Sequence, residues 1–344
     1  MSKKFLVTGF VLLSCLMPLK AIAASFDGVY VFGDSLSDDG NLYAATGGYQ
    51  SPTTAIPENP QYYQGHYSNG PIWVEYLAQD LGLTPNPSNN FAYGGAGSGD
   101  NSTSINPLIP GLLTQVGLFQ QQLKLSGKTA DPNAVYTVWA GANDYLAGGS
   151  TDYKKTVTNI STAVSGLVSL GAKDILVVDL PNLGALPGTS GNSQVSLALN
   201  ALTGEHNSFL TSTLNSLSQQ LSPDVNIVPL DVNSLFNNVI THPGNFGFTN
   251  VTDSCLSPLG APVIGPFMEC ATTQQEQNKY FFWDALHPTT ASHKLIGDFA
   301  DSALTQSVPE PDHELGVLAL GTLGAISWYK RQQKKASSVA ESRR

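Results

Sequence analysis

Short apolar runs and longer amphipathic stretches alternate along most of this chain. Val29 to Phe32 is β-branched and aromatic and stops at Gly33, so it reads as a short buried strand. Ala134 to Ala140, Asp174 to Asp179 and Val225 to Leu230 are further strands, and the apolar character of the first two is that of strands covered on both faces. Asn89 to Tyr93 adds a short strand closed by Gly94 and Gly95. Between them the period changes to that of helices. Pro71 to Leu83 predicts one, with Pro71 in its first turn. Gly111 to Ser126 predicts another, with Leu112, Gln115, Val116, Phe119 and Leu123 on one stripe. Val157, Ile160, Val164, Leu167 and Val168 mark a third. Val195, Leu199, Leu202, His206, Phe209, Leu210, Leu217 and Leu221 mark a long fourth, and Thr289 to Leu304 closes the series. Strands alternating with helices imply right-handed βαβ units and a parallel sheet, the α/β class. Tyr43 to Tyr67 and Thr241 to Phe282 show neither period and read as long loops, a length at which loops are often functional.

The two ends do not fit this pattern. Lys3 and Lys4 precede an apolar run from Phe5 to Met17, and Ala21-Ile22-Ala23 offers a small-x-small cleavage site. That is the layout of a secretory signal over residues 1–24, with Cys15 leaving open a lipoprotein alternative. At the other end Pro309-Glu310-Pro311 leads into 15 apolar-rich residues, Leu315 to Tyr329, then Lys330, Arg331, Lys334 and Lys335. The run is short for a permanent span, which needs about 17 to 25 residues. Residues 308–344 resemble a PEP-CTERM sorting tail. This resemblance implies an exosortase-type membrane protease as partner and a transient membrane association, a plain C-terminal anchor being the alternative. Export to the cell surface, the periplasm and outer envelope, or the medium follows.

Composition sharpens the reading of residues 25–307. They hold 7 lysines, no arginine and 22 acidic residues, a balance of −15. Such a body is unsuited to nucleic acid or to anionic lipid heads. Its two cysteines, Cys255 and Cys270, form an even count in an oxidising compartment, so a disulfide is expected, contributing about 3 kcal/mol in the chain-entropy model. No metal site is expected there, because two cysteines without a nearby histidine are too few ligands.

The candidate chemistry begins with Gly33-Asp34-Ser35-Leu36, just past the first strand. Open α/β sheets bind ligands outside the carboxyl ends of their strands, although Asp34 and Ser35 are also ordinary helix-capping residues. Asp284 and His287, three residues apart, can meet on one turn and supply the base and orienter that a serine nucleophile needs. Gly94-Gly95-Ala96-Gly97-Ser98-Gly99 lacks the lysine and the acidic partner of nucleotide-binding loops, so no cofactor is expected.

Gly33-Asp34-Ser35-Leu36, Asn90-Phe91-Ala92-Tyr93-Gly94-Gly95, Gly141-Ala142-Asn143-Asp144 and Asp284-x-x-His287 resemble, in order, the blocks of the GDSL or SGNH hydrolases. Tyr67 to Ala78 resembles their lipolytic, lecithinase/haemolysin-like branch. The resemblance covers about residues 28 to 304. It implies a three-layer α/β/α sandwich, flavodoxin-like, with about five parallel strands. It also implies a serine esterase or lipase with Ser35 as nucleophile, His287 as base and Asp284 as orienter. The oxyanion would be held by the Ser35 and Gly95 amides and the Asn143 side chain. Acyl-lipid esters are the implied substrates, with O-acetyl groups of polysaccharides as the alternative. A non-catalytic surface protein is the rival from another class, opposed by the intact set of five residues. His66, His206, His242, His293 and His313 have no partner pattern and read as structural. Tyr49, Tyr62 and Tyr63 read either as lining an acyl pocket or as packing their loop, and Asp38, Asp39 and Asn41 as helix-start residues.

Overall fold

The four apolar runs best suited to a buried strand form one parallel sheet in the computed structural model, which describes residues 26–48, 56–57, 61–101, 109–257 and 268–307. These are β1 (Val29–Gly33), β2 (Val135–Trp139), β3 (Asp174–Val178) and β4 (Asn226–Leu230), in spatial order β1-β2-β3-β4. Val29 faces Val135 and Gly33 faces Trp139, so β1 and β2 end level with each other. All five residues of β2 are buried, which is why its sequence shows no alternation.

The fifth strand, expected at Asn89–Tyr93, is reduced to an edge segment. It forms one parallel bridge, Val31 with Asn90, and donates from Phe91 to the Val31 carbonyl (2.8 Å) and from Tyr93 to the Gly33 carbonyl (3.2 Å). The ladder stops because a side chain intercepts it. Gln115 Oε1 accepts from the Gly33 amide (2.9 Å), and Gln115 Nε2 donates to the Gly33 carbonyl (2.8 Å). Counted with this segment, the order is the 2-1-3-4-5 of flavodoxin-like sheets, which places the topological switch beside β1 and β2.

Helices cover both faces. They are α1 (Asn41–Ala45), α2 (Trp73–Asp80), α3 (Leu112–Ser126), α4 (Ala142–Leu146), α5 (Tyr153–Leu170), α6 (Pro187–Ser190), α7 (Ser193–Ser218), α8 (Val232–Thr241), α9 (Gln274–Gln277) and α10 (Thr290–Ser307). On one face α3, α5 and α7 lie side by side over Phe32, Tyr136, Val138, Ile175 and Val177. On the other, α2 packs on α10, and the Trp73 ring meets Trp139 edge-on at 5.6 Å. A side chain at Gly297 of α10 would press on Trp73 and Tyr76, so glycine sets how closely these helices cross. The layers are those of an α/β/α sandwich.

The buried stripe of α3 is the one the pattern predicts, Gln115 included. Three expectations need correction. Helix α2 begins at Trp73, with the Glu75 carboxylate accepting from the Ile72 amide (2.7 Å), so Pro71 lies before the helix and not in its first turn. Of the stripe predicted for α7, His206 and Leu210 are buried and Phe209 and Leu217 pack on the core, joined by Thr203 and Leu214, but Val195 in the first turn is exposed. The stretch from Thr241 to Phe282, read as loop, holds β5 (Asn250–Ser254) parallel to β8 (Tyr280–Phe282) and β6 (Leu256–Ser257) antiparallel to β7 (Met268–Glu269). Strands β6, β7 and β8, of two or three residues, are too short to show a period, and β5 is mostly polar and lacks the apolar run that marked β1 to β4. The Cys255–Cys270 disulfide joins this lobe as expected. The signal and sorting segments, Cys15, Tyr49 and His313 lie outside the described residues, and no described helix is long and apolar enough to cross a membrane.

Candidate active site

The sheet's carboxyl edge builds the site. Strand β1 must end in glycine, since a Cβ at Gly33 would collide with the Trp139 carbonyl of the neighbouring strand. The chain then turns: Asp34 Oδ1 accepts from the Leu36 amide (3.1 Å), and the Asp34 carbonyl accepts from the Ser37 amide (3.0 Å). Asp38 caps the next helix, accepting from the Gly40, Asn41 and Leu42 amides, and its Oδ2 reaches across to the Gly94 amide (2.7 Å). The serine turn and the glycine turn are thus tied by one buried carboxylate.

Asp284 and His287 do meet on one turn. Asp284 Oδ1 accepts from the amides of Leu286 and His287 (2.8 Å each), and His287 Nδ1 lies 2.8 Å from Oδ2 and 2.9 Å from Oδ1. The other ring nitrogen, Nε2, lies 2.7 Å from Ser35 Oγ, 252 residues away in sequence. Three residues named from the sequence therefore form one hydrogen-bonded chain. Burial pushes the Asp284 carboxyl up, but the His287 charge, its hydrogen bond and the two amides outweigh burial and hold it below the ordinary range. Burial pushes His287 down, while Asp284 and, more weakly, Asp34 push it up and prevail. Asp34 carries no such compensation: burial takes its carboxyl to about 7 against the opposing pull of the Leu36 amide and His287.

The other two predicted residues lie on loops tied together. Gly141, at φ +119°, starts α4 and puts Asn143 in its first turn. Asn143 lines the cleft with Ser35 and His287, and its Nδ2 donates to the Ala96 carbonyl (3.0 Å). Gly95, at φ +76°, sits in the turn just before Ala96, in a conformation that favours glycine. It is not among the residues lining the cleft. Asp144 fixes the two loops to each other, its Oδ2 accepting from the Ser98 amide (2.8 Å) and its Oδ1 from the Ser98 hydroxyl (2.7 Å).

Leu36, Leu146, Pro181, Leu183, Leu186, Phe236 and Leu286 make the remaining wall of the cleft apolar. A serine hydroxyl against a neutral imidazole, with an amide donor alongside, is equipped for nucleophilic attack on a carbonyl. Among the described residues no group of three or more His, Cys, Asp or Glu is arranged to hold a metal ion.

Sequence reasoning left Tyr62 open between pocket lining and loop packing and did not single out the Tyr67 ring. Tyr62 OH donates to Asp284 Oδ2 (2.8 Å), and the Tyr67 ring lies over that of His287 with centroids 4.9 Å apart. Tyr63, by contrast, is partly exposed and faces His66. No local pattern carries such contacts, since they join segments more than two hundred residues apart. The remaining histidines of the core are paired or buried neutral: His66 with Glu75 (3.0 Å), His206 with the Tyr145 hydroxyl (2.7 Å), and His293 with the Trp73 amide (3.3 Å).

The profile of the GDSL-like lipase/acylhydrolase family matches residues 29–300. The phosphatidylcholine-sterol acyltransferase of Aeromonas hydrophila is 30% identical over 334 residues, covering 83% of this chain and 94% of that protein. The thermolabile hemolysin of Vibrio parahaemolyticus is 29% identical over 78% of this chain and 62% of its own length. Esterase EstA of Pseudomonas aeruginosa is 28% identical over 98% of this chain and 55% of its own length.

Proposed function

From the premise that this chain belongs to the GDSL-like lipase/acylhydrolase family and hydrolyses esters, we propose that it cleaves carboxylic esters of acyl lipids through a serine acyl-enzyme. The observation that carries this reading is the continuous chain from Ser35 Oγ to His287 Nε2 (2.7 Å) and from His287 Nδ1 to Asp284 (2.8 Å). Ser35 Oγ attacks the carbonyl carbon while its proton passes to His287. The ester C–O bond then breaks, and the alcohol departs with that proton. Water, deprotonated by His287, attacks the acyl carbon, the acid leaves, and Ser35 recovers its proton. Asp284 holds the imidazole tautomer throughout. The oxyanion is held by the Ser35 and Gly95 amides and the Asn143 side chain, each such donor contributing about 3 kcal/mol to the transition state.

The substrate class rests on the cleft and the charge. Leu146, Leu183, Leu186 and Phe236 offer an acyl chain an apolar wall. A body with 22 acidic residues and no arginine suits a neutral or zwitterionic ester better than an anionic one. The name of the Aeromonas relative, an acyltransferase of phosphatidylcholine, supports the same class. For the ends, the reading is an export signal in 1–24, the hydrolase in 25–307 and a sorting or anchor tail in 308–344, cut by an exosortase-type protease at the cell surface. Mass spectrometry of the exported protein tests this; a product that keeps residues 1–24 or an uncut tail contradicts the processing.

Hydrolysis of p-nitrophenyl acetate, butyrate and palmitate, beside Ser35→Ala, tests the chemistry. Turnover is expected to disappear in Ser35→Ala and to extend to the palmitate. Cleavage of the acetate alone would redirect the reading to an O-acetylesterase, and turnover that survives Ser35→Ala would overturn the serine route.

A further inference from the structure

Tyr62 stands outside the groups used for acyl transfer, yet its hydroxyl donates 2.8 Å to Asp284 Oδ2, an oxygen also 2.8 Å from His287 Nδ1. Oδ1 is occupied by the amides of Leu286 and His287. The soft coordinate of an aspartate is rotation of its carboxylate, a broad two-fold torsion. Amides on one oxygen and a phenol on the other remove that freedom. The phenol is itself held. Its ring packs against Cys255, Leu256 and Trp283, the cluster carrying the disulfide, and meets Tyr67 edge-on at 6.1 Å. The backbone beneath is pinned by Cys255 and Leu256, whose amides donate to the carbonyls of Phe282 (3.0 Å) and Trp283 (2.6 Å), just before Asp284.

We propose that Tyr62 is a positioning residue for ester hydrolysis, locking the Asp284 carboxylate from a seat built by the disulfide-bearing lobe. The inference rests on the Ser35, His287 and Asp284 reading above. Burial and the Asp284 charge keep the phenol protonated, so it always donates and never competes for the catalytic proton. Tyr62 does not line the cleft, so its loss acts on kcat rather than KM. Its donor also disperses the carboxylate's charge. Without it more negative charge faces His287, the imidazolium gains stability, and the acid limb of the rate profile moves to higher pH. The other groups facing His287 are the Asp34 carboxyl from the serine turn, Tyr67 above the ring and His293 from α10. Tyr67 and His293 stay neutral through this range, and Asp34, at about 7, contributes equally to parent and variant.

The test compares the full chain with Tyr62→Phe on p-nitrophenyl butyrate, with Tyr63→Phe and Ser35→Ala alongside. Phenylalanine keeps the ring in its seat. A fall in kcat of about tenfold is expected, as for other groups that orient a reacting residue, with KM within about twofold. The acid limb should move up by about half a pH unit. Tyr63→Phe should match the parent. Two NMR readings need no turnover: the His287 titration in Ser35→Ala, which adding Tyr62→Phe should move upward, and a slowly exchanging Tyr62 hydroxyl proton in the parent, close to the His287 Nδ1 proton. Unchanged kcat and acid limb in Tyr62→Phe, or absence of that hydroxyl proton, overturns the proposal while leaving the hydrolase intact. Full turnover in Ser35→Ala removes instead the reading on which it rests.

Discussion

Asp34, buried, and Asp284, partly buried, both act on His287, yet their environments drive them in opposite directions. Asp284 is surrounded by donors and a positive partner and stays ionised, whereas Asp34 has one amide and is pushed to about 7. The consequence for His287 is a pKa above the usual 6.5. As the proposed base it works only when neutral, so kcat/KM should fall as pH drops through a value above 6.5, and a pH–rate profile measures where. Asp284→Asn removes the first cause and the tautomer lock together, and kcat should drop on the order of ten-thousandfold in single-turnover assays. At this scale the sequence was informative: a serine after a strand and an Asp-x-x-His pair name chemistry by residue type. It left Tyr62 between pocket lining and loop packing, and it was silent on the overlap of Tyr67 with His287 and on the Asp144–Ser98 link. Those depend on distance in space alone.

The element that most shapes the site is one that is missing. Asn90–Tyr93 stops short of a full strand because Gln115 takes the Gly33 amide and shares its carbonyl. A glutamine on the buried stripe of α3 thereby terminates β1's outer ladder two residues before Ser35. Gln115→Met keeps the volume but leaves the Gly33 amide buried without an acceptor, which should cost about 1 to 3 kcal/mol. Urea unfolding checks this, as a lower midpoint at unchanged slope. Period and burial placed the helix and its stripe correctly. The difference between a strand and a bridged edge was not legible, because it depends on a side chain from a helix formed later in the chain.

For the whole molecule, acidity and burial meet in the pH dependence of stability. Asp34, Asp39 and Asp179 are raised by burial to about 7 from 3.8. Each keeps in the fold a proton that the unfolded chain has released, so their contribution falls as pH climbs from about 4 to about 7. His206 and His293, lowered by burial to about 4 and about 3, act in the opposite sense, and only below 6.5. Above pH 6.5 that opposition ends, and the carboxyls act in the same sense as His287 and His66, both raised above 6.5, so thermal melts should show Tm rising as pH is lowered from 7.5 to 6.5. Asp179 accepts from the Asn233 amide (3.1 Å), which an asparagine oxygen also does. Asp179→Asn should therefore stabilise the protein by about 2 kcal/mol at pH 7.5, with the gain shrinking toward pH 4.

The sequence by itself determined the α/β class, the approximate bounds of the four central strands and of α2, α3, α5, α7 and α10, the pairing of Cys255 with Cys270, and the residues Ser35, Asp284 and His287. These follow from local period, from residue chemistry, and from there being only two cysteines in residues 25–307. Only the tertiary structure decided that His287 Nε2 reaches Ser35 Oγ, that the sheet keeps four full strands, and that a tyrosine backs Asp284. Each of those is a contact between segments far apart in the chain, where energy depends on angstroms and periodicity carries no information.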